Sequence, residues 1–386
     1  MKSCDIFCNV IDNYGDIGVC WRLAKQFSRE HHLNVRLWID DLCSFAKLCP
    51  EVDIALDKQS CSGVEVCLWR KDFPEVQPAL IVIEAFACQL PSNYVEAMLH
   101  VEPQPVWINL EYLSAENWIQ GCHALPSPHP SLPLTKYYFF PGFTDKTGGL
   151  LIENNLLARR EAFQGDIEQQ RIFWESLGVE MPSNDTFKVS LFTYENAAVT
   201  DLFEVWAASP QPLMCLVPEG RILPQISTYF EDVTPVVGSE YVRGNLRLHV
   251  LPFVSQDNYD LLLWACDVNF VRGEDSFVRA QWAGRPFIWQ IYPQQDEVHH
   301  AKLDAFLNLY TVQLSKSAQL VIRDLCTAWN KETNVGQFWP AFIRAQDELN
   351  SHSKIWANVL SKNNLALNLL DFCQNVGRIR AFENER

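Results

Sequence analysis

The sequence predicts an α/β protein of two Rossmann-like domains that face each other across a cleft, and three observations predict it. Short apolar runs of strand length alternate with helical segments, which is typical of a mostly parallel sheet with helices on its faces. The same alternation starts again in the second half of the chain. The length, 386 residues, is enough for two domains of ordinary size.

In the first half, each apolar run of strand length is followed by a connection or by a segment with helical spacing. Strands are predicted at Asp5–Ile11, Asn34–Ile39, Val64–Trp69, Ala79–Glu84, Pro105–Asn109 and Tyr137–Phe140. Helices are predicted at Ile17–His31, Leu42–Leu48 and Ser92–His100, and the proline-rich stretch Ala124–Leu134 is expected to be a loop.

The alternation restarts after Pro182-Ser183-Asn184, which follows a charged helical segment at Glu153–Leu177. We therefore place the domain boundary near residue 180, with one domain at 1–180, completed by a C-terminal helix at 360–386, and another at 181–359. Strands are predicted at Phe187–Tyr194, Pro212–Val217, Arg247–Val254, Asp267–Val271 and Pro286–Ile291. Helices are predicted at Asn196–Ala208, Ile222–Phe230, Gln256–Cys266, Phe277–Trp282 and from about Glu297 onward.

Charge and composition exclude several classes of function. The net charge of −16 argues against a general nucleic-acid binder and against binding to an anionic membrane. No apolar stretch has transmembrane length, and the N-terminus does not have the pattern of a signal peptide. The thirteen cysteines include no pair at CxxC spacing, so we expect reduced thiols in a cytoplasmic protein and no zinc site.

The most informative segment is a strand, turn and helix around Arg272. The apolar run Cys266–Val271 predicts a buried strand, and Phe277–Trp282 predicts the helix that follows the turn. A strand that leads into a helix N-terminus binds anions, because unpaired N–H groups point outward there. Arg272 adds a positive charge and Ser276 a hydroxyl. The alternative is that Asp275 or Ser276 only caps the helix.

A second strand-end loop, Asp12 to Gly18, is acidic. It carries Asp12 and Asp16 and no basic residue, so it is poorly suited to phosphate and well suited to an amine, a guanidinium or a hydroxyl. Gly15 and Gly18 permit a tight turn and close approach of a ligand. The alternative is that Asp16 only caps the helix.

Aromatic and polar residues end two strands of the second half. Phe192 and Phe253 could stack on a planar base, Gln256 could pair with its edge, and the Tyr194 hydroxyl could contact a phosphate. Each residue taken alone is also compatible with a place in the core or in a cap. The sequence has no GxGxxG after its first strand, no P-loop and no HExxH motif, which lowers the case for a dinucleotide oxidoreductase, a P-loop nucleotidase or a metalloprotease.

Five blocks of sequence are similar to one known family. Together they resemble the EarP family of protein-arginine rhamnosyltransferases over essentially the whole chain, and the blocks are VIDNYGDIGVCWRLA near the N-terminus, Asn109–Glu116, Pro141–Thr144, Leu251–Gln256 and Arg272–Gln281. The resemblance implies an inverting glycosyltransferase of the GT-B type. It implies dTDP-β-L-rhamnose as donor, an arginine of elongation factor P as acceptor, an acceptor-binding first domain, a nucleotide-sugar-binding second domain and no metal cofactor.

The resemblance also implies a role for individual residues. Asp16 matches the general base, Asp12 a second acid that holds the arginine, and Glu274 the essential acid of the donor site. Asn13, Tyr14 and Gly15 belong to the acceptor-side loop. The residues that match donor contacts are Phe192, Tyr194, Phe253, Gln256, Arg272, Asp275, Ser276 and Tyr292.

Two other classes of protein remain open on the sequence alone. A glycosyltransferase or sugar-nucleotide epimerase with another substrate would share the two-domain architecture. A non-catalytic module that binds a nucleotide sugar and regulates a translation factor would need the donor pocket but not Asp16. The acidic loop favours the enzyme, because a pure binder has little use for a potential base there.

Overall fold

The protein is described here by a computed structural model that covers residues 3–10, 14–231, 233–294 and 298–384, with side chains placed up to residue 379. The chain divides into two compact units. The first unit comprises Met1–Asn154 together with Leu360–Arg386, and the second comprises Asn155–Val359.

The first unit begins with alternating strands and helices, as the sequence predicts. Its strands are β1 (Ser3–Cys8), β2 (Asn34–Ile39), β3 (Lys58–Cys61), β4 (Val64–Leu68), β5 (Ile81–Ala85), β6 (Val106–Leu110), β7 (Pro126–Pro128) and β8 (Thr135–Phe139). Its helices up to this point are α1 (Gly15–His31), α2 (Leu42–Leu48), α3 (Ser92–Ala97) and α4 (Ile119–Cys122).

The eight strands of the first unit form one sheet in the order β3-β4-β2-β1-β5-β6-β8-β7. The six inner strands are parallel, and β3 and β7 are antiparallel edges. β1 is central and pairs with β2 on one side and with β5 on the other, so the strand order reverses beside β1. Such a reversal opens a crevice at the carboxyl ends of the strands, where ligands bind in open α/β sheets.

The second unit repeats this architecture with a smaller sheet. Its helices are α5 (Leu156–Gly165), α6 (Ile167–Ser176), α7 (Val199–Ala207), α8 (Leu223–Tyr229), α9 (Gln256–Ala265), α10 (Asp275–Ala283), α11 (Val298–Tyr310), α12 (Lys316–Asn330), α13 (Trp339–Arg344) and α14 (Gln346–Leu360). Its strands are β9 (Phe187–Leu191), β10 (Leu213–Pro218), β11 (Glu240–Arg243), β12 (Leu246–Leu251), β13 (Val268–Arg272) and β14 (Phe287–Gln290).

The six strands of the second unit lie in the order β11-β12-β10-β9-β13-β14, with only β11 antiparallel. The order reverses between β9 and β13, which are hydrogen-bonded neighbours. β13 is buried throughout, and its residue Phe270 packs edge-on against Trp206 and Trp329. A strand covered on both faces is a near-continuous apolar run, which is why the sequence predicted it.

The last helix, α15 (Leu365–Asn384), belongs to the first unit. Asn364 and Asn368 at its start donate side-chain hydrogen bonds to the carbonyl oxygens of Ile152 and Gly148, at 2.8 and 3.0 Å. Gly149 has φ +81°, and a Cβ at this position would collide with the carbonyl oxygen of Asn363. The segment after β8 and the start of α15 are therefore in close backbone contact.

The domain boundary predicted near residue 180 is wrong, because α5 and α6 belong to the second unit. Phe163 of α5 is 3% exposed and packs on Trp264 of α9, with 6.0 Å between the ring centres. The buried Arg160 donates a hydrogen bond of 2.9 Å to the carbonyl oxygen of Trp282. The sequence also missed the antiparallel edge strands β3, β7 and β11, which are short and partly polar.

Candidate active site

The strongest candidate site lies at the strand reversal of the second unit. Three residues meet at the carboxyl ends of the neighbouring strands β9 and β13: Phe192 and Tyr194 follow β9, and Arg272 is the last residue of β13. The guanidinium carbon of Arg272 lies 4.5 Å from the ring centre of Phe192 and 4.6 Å from that of Tyr194. Two strand ends that are far apart in the sequence therefore form one cationic centre.

The rings of Phe192 and Tyr194 hold the Arg272 guanidinium in place. Its side chain is only 7% exposed, and a cation close to the face of an aromatic ring is attracted by the ring quadrupole. The planar guanidinium suits this arrangement better than an ammonium group would. The Phe192 and Tyr194 rings thus orient Arg272. Stacking of Phe192 on a base and contact of the Tyr194 hydroxyl with a phosphate stay predictions.

The turn after β13 begins the helix α10 in a fixed geometry. Gly273 has φ +57°, and the Trp289 indole N–H donates a 2.8 Å hydrogen bond to its carbonyl oxygen. The Ser276 hydroxyl accepts from the Arg272 backbone N–H at 3.0 Å and donates to the Arg272 carbonyl oxygen. Ser276 therefore locks Arg272 to the helix. The first-turn N–H groups of α10 point away from the helix body, as at any helix N-terminus.

The capping alternatives for the two predicted helix starts are wrong. The N-cap of α10 is Glu274, which makes no side-chain capping hydrogen bond, and Asp275 and Ser276 lie within the first turn. Likewise, the N-cap of α1 is Tyr14, and Asp16 lies inside the helix. Acidic groups in a first helical turn are favoured by the helix dipole, but they are not the cap.

Gln256 and Asp275 meet across two helix N-termini. The Gln256 side-chain amide donates to the Asp275 carboxylate at 3.4 Å, and Gln256 is 4% exposed. Beneath this contact, Arg279 of α10 and Asp260 of α9 form a buried two-point ion pair, with N–O distances of 2.8 and 2.6 Å. A buried pair of this kind fixes the helices relative to each other. Four of the predicted donor residues, Gln256, Arg272, Asp275 and Ser276, are therefore held in one rigid group.

The remaining predicted donor residues lie around this group. Phe253 lies half-buried in the loop between β12 and α9, close in sequence to Gln256. The Tyr292 ring is 41% exposed and meets Tyr194 edge-on, with 5.6 Å between the ring centres. Glu274 is partly exposed at the N-terminus of α10.

Sequence reasoning missed three residues of this site. Gln290 accepts a 2.9 Å hydrogen bond from the Tyr194 backbone N–H and donates to the Glu195 carbonyl oxygen, so it holds the loop after β9. Tyr259 packs on Phe192, and burial raises the pKa of its hydroxyl. Arg221, exposed after β10, lies 5.8 Å from the Tyr194 ring. The same strand-end criterion that selected Arg272 would have found Arg221.

The acidic loop of the first unit is described in part. Asp12 and Asn13 lie outside the described residues. Asp16 is 3% exposed in the first turn of α1, the helix that follows the central strand β1 in the chain, and Tyr14 and Gly15 are partly exposed. Near Asp16, a hydrogen bond with Cys20, burial and the Asp16 charge raise the pKa of the Cys8 thiol. The Asp16 carboxylate is thus placed at the strand reversal of its unit, near the Cys8 thiol.

The loop after β5, the strand that pairs with β1, is rigid and aromatic. Phe86 and Ala87 follow β5 with φ +56° each, a backbone conformation that side chains rarely adopt. Asn109 holds this turn, because its side-chain oxygen accepts from the Ala87 N–H at 3.1 Å, and its amide donates to Glu111. Tyr112 stacks on Phe86 at 4.3 Å and is 37% exposed. The Asn109–Glu116 block therefore presents a fixed surface.

Two Rossmann-like units, one with a cationic site at its strand reversal and the other with a buried acid there, define a glycosyltransferase of the GT-B type. The chain belongs to the EarP family: its residues 4–374 match the family model described as "Elongation-Factor P (EF-P) rhamnosyltransferase EarP". It is thus a protein-arginine rhamnosyltransferase by family.

Relatives and solved structures agree with this assignment. The chain is 50% identical to the protein-arginine rhamnosyltransferase of Pseudomonas putida, over 96% of this chain and 98% of the relative. It is 47% identical to that of Pseudomonas aeruginosa, over 96% and 99%. A solved structure reported for EarP-mediated arginine glycosylation of translation elongation factor EF-P is 38% identical, with a TM-score of 0.71 and coverage of 97% and 99%.

A more distant structure shows the fold alone. MurG from Acinetobacter baumannii is 10% identical, with a TM-score of 0.51 over 97% of this chain and all of that one. None of the helices described for this protein combines the length and apolar character needed to cross a bilayer.

The family assignment decides between the alternatives that the sequence alone left open. It favours the transferase over the sugar-nucleotide epimerase and over the non-catalytic regulator.

Proposed function

We propose that this protein transfers L-rhamnose from dTDP-β-L-rhamnose to one arginine side chain of elongation factor P, with inversion at the sugar carbon. The observation that carries the proposal is the Arg272 guanidinium, held between Phe192 and Tyr194 beside the N-terminus of α10. The leaving group of this reaction is a nucleoside diphosphate. A fixed cation and helix N–H groups are suited to the charge that develops on it.

The donor nucleotide is expected to lie along the loops that follow β12 and β13. Arg272 and the first-turn N–H groups of α10 contact the diphosphate. Phe253 stacks on the thymine, and Gln256, whose amide is already oriented by Asp275, contacts the edge of the base. Arg221 is close enough to Tyr194 to add a second positive charge at the open side of the site.

One acidic residue of the donor site is assigned to the sugar. Glu274 lies partly exposed at the N-terminus of α10, beside Arg272. A carboxylate beside a phosphate site is repulsive unless it accepts hydrogen bonds from another group, and the rhamnose hydroxyls provide such donors. The Tyr194 hydroxyl is assigned to a phosphate, and the exposed Tyr292, which meets Tyr194 edge-on, is assigned to a place near the nucleotide.

The acceptor arginine is assigned to the acidic loop of the first unit. A guanidinium is a poor nucleophile, because its lone pairs are delocalised and its pKa is above 12. Asp16 would orient it, localise its charge and take a proton as the C–N bond forms, with Asp12 as the second acid. Tyr14 and Gly15 form the described part of the rim. Attack opposite the leaving group converts the β-linked donor into an α-linked product.

No metal is assigned to this chemistry, because Arg272 and the α10 N-terminus provide the positive potential that a divalent cation gives in other transferases. The protein acts on a translation factor and not on nucleic acid or a membrane. A cytoplasmic location follows from that acceptor.

The test is a direct transfer assay. The protein is incubated with dTDP-β-L-rhamnose and purified elongation factor P, and the peptides are analysed by mass spectrometry. One deoxyhexose on one arginine is the expected product, and NMR of the glycopeptide should show an α linkage. An acceptor variant with lysine at the modified arginine is the matched control. No transfer, or transfer of equal extent to the lysine variant, would contradict the proposal.

A further inference from the structure

Three side chains of the types that ligate metals lie close together in the first unit, outside the candidate active site. The sulfur atoms of Cys49 and Cys61 and a carboxylate oxygen of Glu51 all lie within 4.8 Å of one another. Within the described part of the chain, no other three His, Cys, Asp or Glu residues bring ligand atoms this close. The proposed transfer reaction assigns these residues no role.

The location separates this group from the sites of catalysis. Cys61 ends β3 and pairs with Val64, the first residue of β4. β4 runs parallel to β2 and β1, so Cys61 lies at the amino-terminal edge of the sheet. The acidic loop that contains Asp16 follows the carboxyl end of β1, at the opposite edge. A ligand at Cys61 would therefore not belong to the acceptor site.

Local hydrogen bonds fix the approach of the two cysteines. The Cys49 N–H donates to the Phe45 carbonyl oxygen at 2.9 Å and ends α2, and the Val52 N–H donates to the Cys49 carbonyl oxygen at 3.0 Å. Gln59 accepts from the Asp53 N–H and donates to the Asp53 carbonyl oxygen, each at 2.8 Å. The loop between the cysteines is thus closed by the Gln59 side chain.

The donor atoms suit a soft cation. Cys49 and Cys61 are 6% and 3% exposed, while Glu51 is exposed and gives access from solvent. In a tetrahedral zinc site two sulfur ligands lie about 3.8 Å apart, from Zn–S bonds of about 2.3 Å, so small side-chain rotations suffice. Calcium and magnesium prefer oxygen ligands, and this group offers one carboxylate.

We propose that Cys49, Glu51 and Cys61 bind one thiophilic divalent cation of the Zn²⁺ class, with the fourth position open to water. Binding joins the end of α2 to the β3–β4 hairpin. The spacing of the two cysteines in the sequence, far from any CxxC pattern, is why the sequence predicted no zinc site. The fold brings them together because β3 turns back antiparallel to β4.

The experiment is titration of the full-length, fully reduced protein with Co²⁺, followed by displacement with Zn²⁺. One equivalent of Co²⁺ should produce sulfur-to-cobalt charge-transfer absorption and tetrahedral ligand-field bands, and Zn²⁺ should abolish both. Cys49→Ser and Cys61→Ser should each remove the charge-transfer band. Glu51→Gln, at an exposed position, should fold normally and weaken Co²⁺ binding by about tenfold or more.

Two variants from the same segment are matched controls. Cys43→Ser removes the exposed thiol of α2, and Asp53→Asn removes a neighbouring carboxylate charge, and both should bind Co²⁺ as the wild type does. The inference is overturned if the wild type gives no charge-transfer band. It is equally overturned if Glu51→Gln binds like the wild type, or if Cys43→Ser rather than Cys49→Ser abolishes the band.

Discussion

The guanidinium carbon of Arg272 lies 4.5 Å from the ring centre of Phe192, so the last residue of β13 is oriented by the first residue after β9. These strands are hydrogen-bonded neighbours at the reversal of the sheet. Because Tyr194 lies at 4.6 Å from the same guanidinium carbon, the charge is fixed before any ligand arrives. A charge that needs no reorganisation stabilises a developing anion most effectively.

We expect Arg272→Lys to lower kcat/KM by about 10²–10³-fold, the usual cost of losing one preorganised donor. Lysine keeps the charge but not the planar group that lies against Phe192 and Tyr194. Steady-state kinetics with dTDP-rhamnose and elongation factor P measure the effect. Arg221→Lys, at an exposed guanidinium 5.8 Å from Tyr194, is the control and should lose much less. Equal losses in the two variants would contradict the special role of Arg272.

Asp16→Asn should abolish transfer and leave dTDP binding unchanged. Asparagine keeps the shape of the side chain but neither balances a guanidinium nor takes a proton, so kcat should fall by about 10²–10⁴-fold. Single-turnover transfer and calorimetry with dTDP separate the two effects. Asp201→Asn, which removes the first-turn acid of α7, is the matched control and should be active. A parallel loss of dTDP affinity in the Asp16 variant would assign the residue to the donor instead.

Phe253→Ala should weaken dTDP binding by about 1–3 kcal/mol, the range for loss of one base-stacking ring. The half-buried ring lies in the loop that leads to Gln256. Calorimetry on the folded variant gives the value, and Phe230→Ala, which removes a half-buried ring at the far end of α8, controls for general loosening of the unit. Unchanged affinity would make Phe253 a packing residue only.

Transfer should survive EDTA, since the donor site carries its own positive charge. The rate is compared before and after chelation and after addition of Mg²⁺ or Mn²⁺. The Glu51→Gln variant separates this prediction from the cation site at the end of α2, because it should lose cation affinity and keep turnover. A rate that falls in chelator and returns with Mg²⁺ would show that the leaving group depends on a metal.

The enzyme should require a folded acceptor. The rigid surface around Tyr112, which stacks on Phe86, is larger than one arginine side chain needs. Remote contacts can supply the binding energy that positions a weak nucleophile, and a short peptide lacks them. We expect kcat/KM for an arginine peptide to be at least about 10²-fold below that for intact elongation factor P. Comparable kcat/KM values for the peptide and the intact protein would show that the enzyme glycosylates arginine without recognising the folded acceptor.

The fold was largely predictable from the sequence, because parallel strands buried on both faces are continuous apolar runs. The segment from β13 to α10 is the clearest case. An apolar run, a glycine and a helical segment follow one another in the sequence, and in the structure they form the strand, the turn with a positive φ at Gly273 and the helix. The boundary was not predictable, since α5 and α6 carry ordinary helical patterns that do not reveal which core Phe163 enters.

The site was predictable residue by residue but not as an arrangement. Arg272, Phe192 and Tyr194 were each selected because they end strands. Nothing local shows that the two rings contact the guanidinium, because that contact depends on β9 and β13 being neighbours. Gln290 was missed for the same reason. Within an apolar strand it is indistinguishable from a core residue until its partner, the Tyr194 N–H, is known.

The close contact between the segment after β8 and the start of α15 has a practical consequence for preparing the two units as separate fragments. Both ends of the chain belong to the first unit, so the second unit is an insertion with two connections, near residues 154 and 360. Residues 155–359 can be excised as one continuous piece. A fragment ending near residue 180 would instead carry α5 and α6 without their core and lack α15. An isolated first unit would have to be made by linking Asn154 directly to Leu360.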